Sequence, residues 1–250
     1  GWLAEPDNLN PFVGIQGTSY QVWHLNYDFL VGFDDATLDP RPELATAWEV
    51  SEDGTEWTFT IRDDATWQDG EPVTARDVAF TFDYIRDNEL LNLATYTDGI
   101  LEAEAVDDTT VVVTTDGPKA NLLRMVVPIL PEHIWSQVSG EAATGDYQNE
   151  PPIVGSGPFQ VVEWQKGKFL RLEANKGYWG GAPKIDELIC QVYTNPDTMV
   201  TDLEMGTIDG AIDVPVARFA GLGGTAGIEA NQATSWQFIE LAMNCYDSPD

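Results

Sequence analysis

The sequence predicts an α/β lobe, a mixed sheet with flanking helices, that carries an inserted α+β subdomain. Three observations carry this expectation. Short alternating runs pair across Asp-Gly or Asp-Asp turns, capped helical stripes lie between them, and a Gly-, Ala- and Thr-containing stretch from Ser139 to Pro151 reads as a surface loop returning to the first domain. With 250 residues, 43% of them hydrophobic, the chain is long enough for one or two domains with a buried core.

Taken in order, residues 1 to about 45 are expected to hold an opening strand, a helix near Ser19 to Tyr27 and a strand from Phe29 to Phe33. Trp48 and Val50 then alternate on one arm of a hairpin and Trp57, Phe59 and Ile61 on the other, with Asp53-Gly54 as the turn. After an Asp69-Gly70 turn, Thr74 is a helix N-cap with Asp77 in its first turn, so a helix should start near Ala75. Its apolar stripe is Val78, Phe82 and Ile85, while Arg76, Asp83, Arg86 and Asp87 face water. A second hairpin is expected from Ala103 to Val106 and Val111 to Thr115 around Asp107-Asp108, followed by short helices at Lys119 to Met125 and Pro131 to Trp135. Beyond the loop, strands at Phe159 to Trp164 and Phe169 to Glu173 flank a Lys166-Gly167 turn and lead to a Tyr-Trp-Gly-Gly corner. An apolar strand, Glu187 to Tyr193, precedes a helix from Pro196 to Glu204, capped by Asn195 and stopped at Gly206, and a last strand from Gly210 to Val214.

Composition narrows the function classes. Twelve Lys and Arg against 42 Asp and Glu give a net charge of −30, with acids dispersed as pairs such as Asp34-Asp35, Asp63-Asp64 and Asp107-Asp108. Such a chain repels itself in dilute salt, but at about 1 M the Debye length is about 3 Å and the repulsion is screened, so the composition fits a halophile with an acidic surface. Nucleic-acid binding is excluded as a reading, because twelve scattered cations make no basic face. No apolar run reaches the roughly 18 residues that spanning a bilayer requires. Cys190, in an apolar strand, reads as a small buried hydrophobe; a disulfide to Cys245 is the weaker alternative, since two cysteines make no framework.

Nothing in the chain points to catalysis, a cofactor or a metal. His24 and His133 are the only histidines, and no HExxH, CxxC pair or P-loop is present. Ser156 in Gly155-Ser156-Gly157 lacks the GxSxG register and reads as a turn. A chance acid pair suited to glycoside hydrolysis stays open with 42 acids in the chain.

Two separated stretches carry a resemblance. ELATAWEVSEDGTEWTFTIRDDATWQDGEPVTARDV, from Glu43 to Val78, and PIVGSGPFQVVEWQKGKFLRLEANKGYWGGAPKIDELI, from Pro152 to Ile189, resemble signature segments of the family 5 extracellular solute-binding proteins of ABC importers. Arg62, Asp69, Gly70, Thr74 and Asp77 fill the first pattern, and Gly155, Gly157, Trp164, Asn175, Tyr178, Trp179 and Asp186 fill the second. The resemblance runs from Leu9-Asn10-Pro11 to Asn244 and implies a periplasmic-binding-protein-like lobe. On it, residues 1–45 and 152–250 form a discontinuous first-lobe domain and 46–151 an inserted subdomain. A second lobe, a C-terminal tail, a signal sequence and an anchoring cysteine are expected to be missing from this chain.

The same resemblance implies a non-enzymatic carrier on the outer face of the membrane, exported and lipid-anchored, monomeric, that captures a solute and delivers it to an ABC permease. A di- or oligopeptide is the leading solute. An oligosaccharide is the alternative, favoured by nine Trp; a secreted hydrolase and a sensory or adhesion receptor are the other classes, and two histidines are a poor set for metal carriage. Ligand contacts are expected from Asp28, Phe29 and Leu30, partly through backbone groups that would pair an extended peptide. Trp23, Tyr96 in the insert, and Trp236 and Asn244 flanking the hinge strand complete the set. Phe29 stands where many members have Gly, so its side chain is expected to narrow the pocket.

Overall fold

The computed structural model describes residues 1–34, 37–119 and 121–231. Its largest sheet is built from four antiparallel strands, β3 (Ala45–Val50), β4 (Glu56–Ile61), β5 (Ile100–Ala105) and β6 (Thr110–Thr115), in the order β3-β4-β6-β5. The two hairpins read from the sequence are joined through β4 and β6, where Phe59 faces Val111 and Trp57 faces Val113. Period-two alternation places Trp57, Phe59, Ile61, Val111 and Val113 on one buried face. The opposite face carries Thr58, Thr60, Glu102 and Glu104 toward water, as a one-sided antiparallel sheet allows.

Helix α2 (Ala75–Asp87) covers the buried face with Val78, Phe82 and Ile85, all fully buried. Its start is fixed by Asp77, whose carboxylate accepts the Thr74 N–H at 2.8 Å and the Thr74 hydroxyl at 3.2 Å. The other Asp77 oxygen accepts the Glu132 N–H at 3.0 Å, tying α2 to the short helix α4 (Glu132–Trp135). One residue thus caps one helix and anchors the next.

A second sheet is the antiparallel meander β7 (Phe159–Gln165), β8 (Phe169–Ala174) and β9 (Glu187–Gln191). Trp2 extends it in parallel: its N–H donates to Gln191 O at 2.8 Å and its carbonyl accepts the Tyr193 N–H at 2.7 Å. Helix α1 (Gly17–Asn26) packs on β7. A two-stranded ribbon pairs β1 (Val31–Phe33) with β2 (Pro40–Pro42), and its prolines fit an edge strand that needs few N–H donors. Helix α6 (Pro196–Glu204) starts as read, with the Asn195 carboxamide accepting the Asp197 and Thr198 N–H groups.

The structure departs from the sequence reading in five places. Helices α3 (Leu91–Thr97), α5 (Gly140–Thr144) and α7 (Val216–Leu222) were not anticipated, and α5 lies inside the stretch read as a loop. The expected helix at 119–125 is a single 3-10 turn, Leu122–Arg124. No strand forms at Gly210 to Val214: Asp213 adopts a left-handed φ of 55°, which breaks an extended run, and the segment instead bonds to Gly1 at Gly210 O and Ile212 N. Cys190 is buried in β9, with burial pushing its thiol up to about 11, and Cys245 lies outside the described residues. No helix among the described residues is long and apolar enough to cross a membrane.

Candidate functional site

The end of α1 is where the two signature stretches meet. Asn26 Oδ1 accepts the Val161 N–H at 2.8 Å, and the Asn26 carbonyl accepts the Gly157 N–H at 3.0 Å. A Cβ on Gly155 would stand 1.8 Å from the Asn26 oxygen, and one on Gly157 2.6 Å from the Leu25 oxygen, so only glycine permits this approach. From the first stretch, Gln68 clamps the same turn. Its N–H donates to Gly155 O at 2.8 Å, its Oε1 accepts the Gly155 N–H at 2.9 Å, and its Nε2 donates to Gly157 O and Phe159 O.

This docking positions the chain immediately after α1. Asp28 is 1% exposed, and its carboxylate accepts the Tyr178 hydroxyl at 3.0 Å and the Trp179 indole N–H at 3.2 Å. Its backbone N–H donates to Ser156 Oγ at 3.1 Å and its carbonyl accepts the Ile129 N–H at 3.0 Å. The Phe29 N–H donates to Glu43 Oε1 at 2.7 Å, while the Leu44 and Ala45 N–H groups reach the Phe29 and Leu30 carbonyls. Arg62 lies over the Trp179 ring, 3.4 Å from its centroid, and is itself fixed by Asp64 at 2.6 Å and by the Glu43 carbonyl at 3.1 Å.

Electrostatically the site is unusual for so acidic a chain. Burial pushes Asp28 up to about 6, against the pull of its Ser156, Trp179 and Tyr178 donors and of the Arg62 charge. Burial also pushes Glu43 up to about 7; the Phe29 N–H opposes this, the neighbouring Asp28 charge adds to it and Arg41 relieves it. Tyr178 is held above its ordinary range by burial and by Asp28. Ser156 Oγ accepts the Asp28 N–H and its hydroxyl lies within reach of the Asp28 carboxylate, which Tyr178 and Trp179 also occupy.

The structure brings Asp28, Phe29 and Leu30 together, with two corrections to the expectation. Their backbone groups named above are engaged within the lobe and do not present an open edge for an extended peptide. The Phe29 ring does not project to narrow a pocket: it is 4% exposed and lies on His24, centroids 4.3 Å apart at 31°. Trp23 is also corrected. It is buried in the core, its indole N–H donates to Leu9 O at 3.1 Å and its ring meets Tyr20 edge-on, so it offers no face to a ligand. Tyr96 is half-buried on α3, near Tyr20 of α1. Trp236 and Asn244 lie outside the described residues.

Sequence reasoning missed Glu43, Ser156 and the roles of Arg62, Tyr178 and Trp179. The signal was available, since all five fall within the two signature stretches. A separate open hollow of about 500 Å³, lined by Ile134, Gln137, Val138, Ser139, Ala142 and Tyr147, shares no residue with this cluster.

Comparison with known proteins places the chain in a family. The pattern of the bacterial extracellular solute-binding proteins, family 5 Middle, matches residues 39–249. Protein XP55 of Streptomyces lividans is 36% identical over 86% of this chain, and the dipeptide-binding protein of Escherichia coli K12 is 32% identical over 79% of it. The chain spans only 39% and 40% of those two relatives' own lengths. Among solved structures, the oligopeptide-binding protein AppA of Bacillus subtilis, in complex with a nonapeptide, superposes with a TM-score of 0.80 over 90% of this chain and 46% of its own, at 23% identity. That likeness shows the mixed α/β, periplasmic-binding-protein-like fold.

Proposed function

Because the chain belongs to the bacterial extracellular solute-binding proteins of family 5, we propose that it forms part of the capture component of an ABC importer, taking up a di- or oligopeptide outside the membrane and delivering it to the permease. The observation that carries this reading is the convergence of both signature stretches on residues 26–30, which holds the segment after α1 by hydrogen bonds from both. The peptide assignment is supported by the dipeptide-binding relative. On this reading residues 1–45 and 152–250 belong to one domain and 46–151 to an insert, the Asp28–Leu30 stretch forms the floor of the lobe's half of the cleft, and Tyr96, Trp236 and Asn244 are further candidates for ligand contact. A monomer, anchored outside the membrane by a lipid, completes the proposal.

Native mass spectrometry of protein purified in molar salt and exchanged to volatile salt tests it. Masses of co-purified peptides are expected; a sugar mass moves the assignment to the oligosaccharide carriers, and turnover of a glycoside or peptide contradicts capture. We also propose that the net charge of −30 reflects adaptation to high salt. Near-UV circular dichroism should then be lost on dialysis to low salt and return in molar KCl, and an unchanged spectrum removes the halophilic reading.

A further inference from the structure

We propose that the outer edge of β5 is a strand-pairing surface for a second copy of this chain, and that a clasp from α2 keeps it closed: Arg86 occupies the Leu101 carbonyl and Asp83 the Ala103 N–H. β5 ends the four-stranded sheet, with β6 on one side and no strand on the other among the described residues. Alternation fixes which groups that leaves over. The Val106 N–H donates to Thr110 O, so Glu104, opposite Val112, and Glu102, opposite Thr114, also bond inward. The N–H and C=O groups of Ala103 and Ala105 therefore point away from the sheet, and the Leu101 carbonyl joins them at the register shift beside Glu102.

Two residues of α2 close this edge. Arg86 Nη1 donates to Leu101 O at 2.9 Å, and the same guanidinium pairs with Asp83 at 2.6 Å and Asp87 at 2.8 Å. The Ala103 N–H reaches the Asp83 carboxylate. Asp83 and Arg86 fall on the side of α2 that the sequence assigns to water, yet both are half-buried, because β5 lies against that side of the helix. An ion pair that could have been spent on solvent is turned onto two neighbouring backbone groups of the strand.

The occupant that an open edge would take is a second β5. An antiparallel edge offers donors opposite acceptors to its own copy turned about a two-fold axis, so the surface is self-complementary. Leu101 and Val106, at the two ends of the strand, are each more than half exposed and would lose water in such a pairing. Charge guards the edge only in dilute solution: Glu102 and Glu104 and the net −30 keep copies apart there, but at about 1 M salt the Debye length is about 3 Å and that repulsion is screened. Under those conditions the directional bonds of the clasp are what keep the edge from pairing.

Sedimentation velocity in molar KCl, over a series of protein concentrations, reads the clasp. The wild type should sediment as a monomer throughout. Arg86→Ala and Asp83→Ala, with their near-UV circular dichroism retained, should each form a dimer as concentration rises, sedimenting about 1.5-fold faster than the monomer. Hydrogen exchange of the peptide covering residues 99–106 should slow in step with the dimer. Folded variants that stay monomeric, or that associate with protection gained elsewhere, overturn the proposal. Should both variants fail to fold, residue-resolved amide exchange of the wild type decides. Ala103, although on an outer edge, should then exchange within about tenfold of Glu104, which bonds inside the sheet, and exchange of Ala103 at its intrinsic rate overturns the clasp. No solute enters these readouts, so failure of the capture reading would leave them standing.

Discussion

Carboxylates occupy two opposite settings in this lobe. Asp28 is buried and Glu43 half-buried, both held by neutral donors and both shifted upward by desolvation. Around Arg171, at the centre of the β7-β8-β9 sheet, three acids from three strands share one half-buried guanidinium: Glu163 at 3.2 Å, Glu173 at 2.7 Å and Glu187 at 3.1 Å. There Glu163 is held below its ordinary value by bonds from Gln165 and Arg171. The first setting depends on geometry and excluded water, the second on a cation and the ionic strength. Where the chain positions its candidate site it uses hydrogen bonds that salt cannot screen, and where it only needs a soluble face it uses charges that salt can.

Substitutions separate the two. Gly155→Ala should have the largest effect, because its Cβ would meet the Asn26 backbone oxygen at 1.8 Å; a loss of about 3 kcal/mol in urea unfolding is expected, insensitive to salt. Asp28→Ala comes next. Leaving the Tyr178 hydroxyl and the Trp179 indole N–H without their acceptor should cost about 2 kcal/mol at pH 6, again at any salt concentration. Arg171→Ala should be the mildest, lowering the thermal midpoint by a few degrees at about 0.1 M salt and by less than about 1 °C at 1 M. A large, salt-independent loss in Arg171→Ala would erase the contrast.

Local chemistry made much of the fold legible. Thr74 with Asp77 marked α2, Asp53-Gly54 and Asp107-Asp108 marked both hairpins, and Asn195-Pro196 marked α6, because caps and turns act over three or four residues. Ser139 was a usable cap for α5, its hydroxyl accepting the Ala142 N–H at 3.2 Å, but the glycine and prolines around it favoured a loop. Helices α3 and α7 begin without a side-chain cap, so their starts leave no local mark. The site was legible only in part. Asp28 and its neighbours could be placed as a stretch, but the partners that define it stand 128 to 151 residues away, at Ser156, Tyr178 and Trp179, and no periodicity reports such a separation. Trp23 misled for a related reason: burial turned an aromatic side chain on a helix into core.

The most direct test of the central claim is hydrogen exchange of the protein with its co-purified solute stripped and then restored. If the stretch held between the two signature segments is the floor of the cleft, the peptide covering residues 27–31 will gain protection when the solute returns. Unchanged exchange there, with protection appearing only elsewhere in the lobe, would contradict the account.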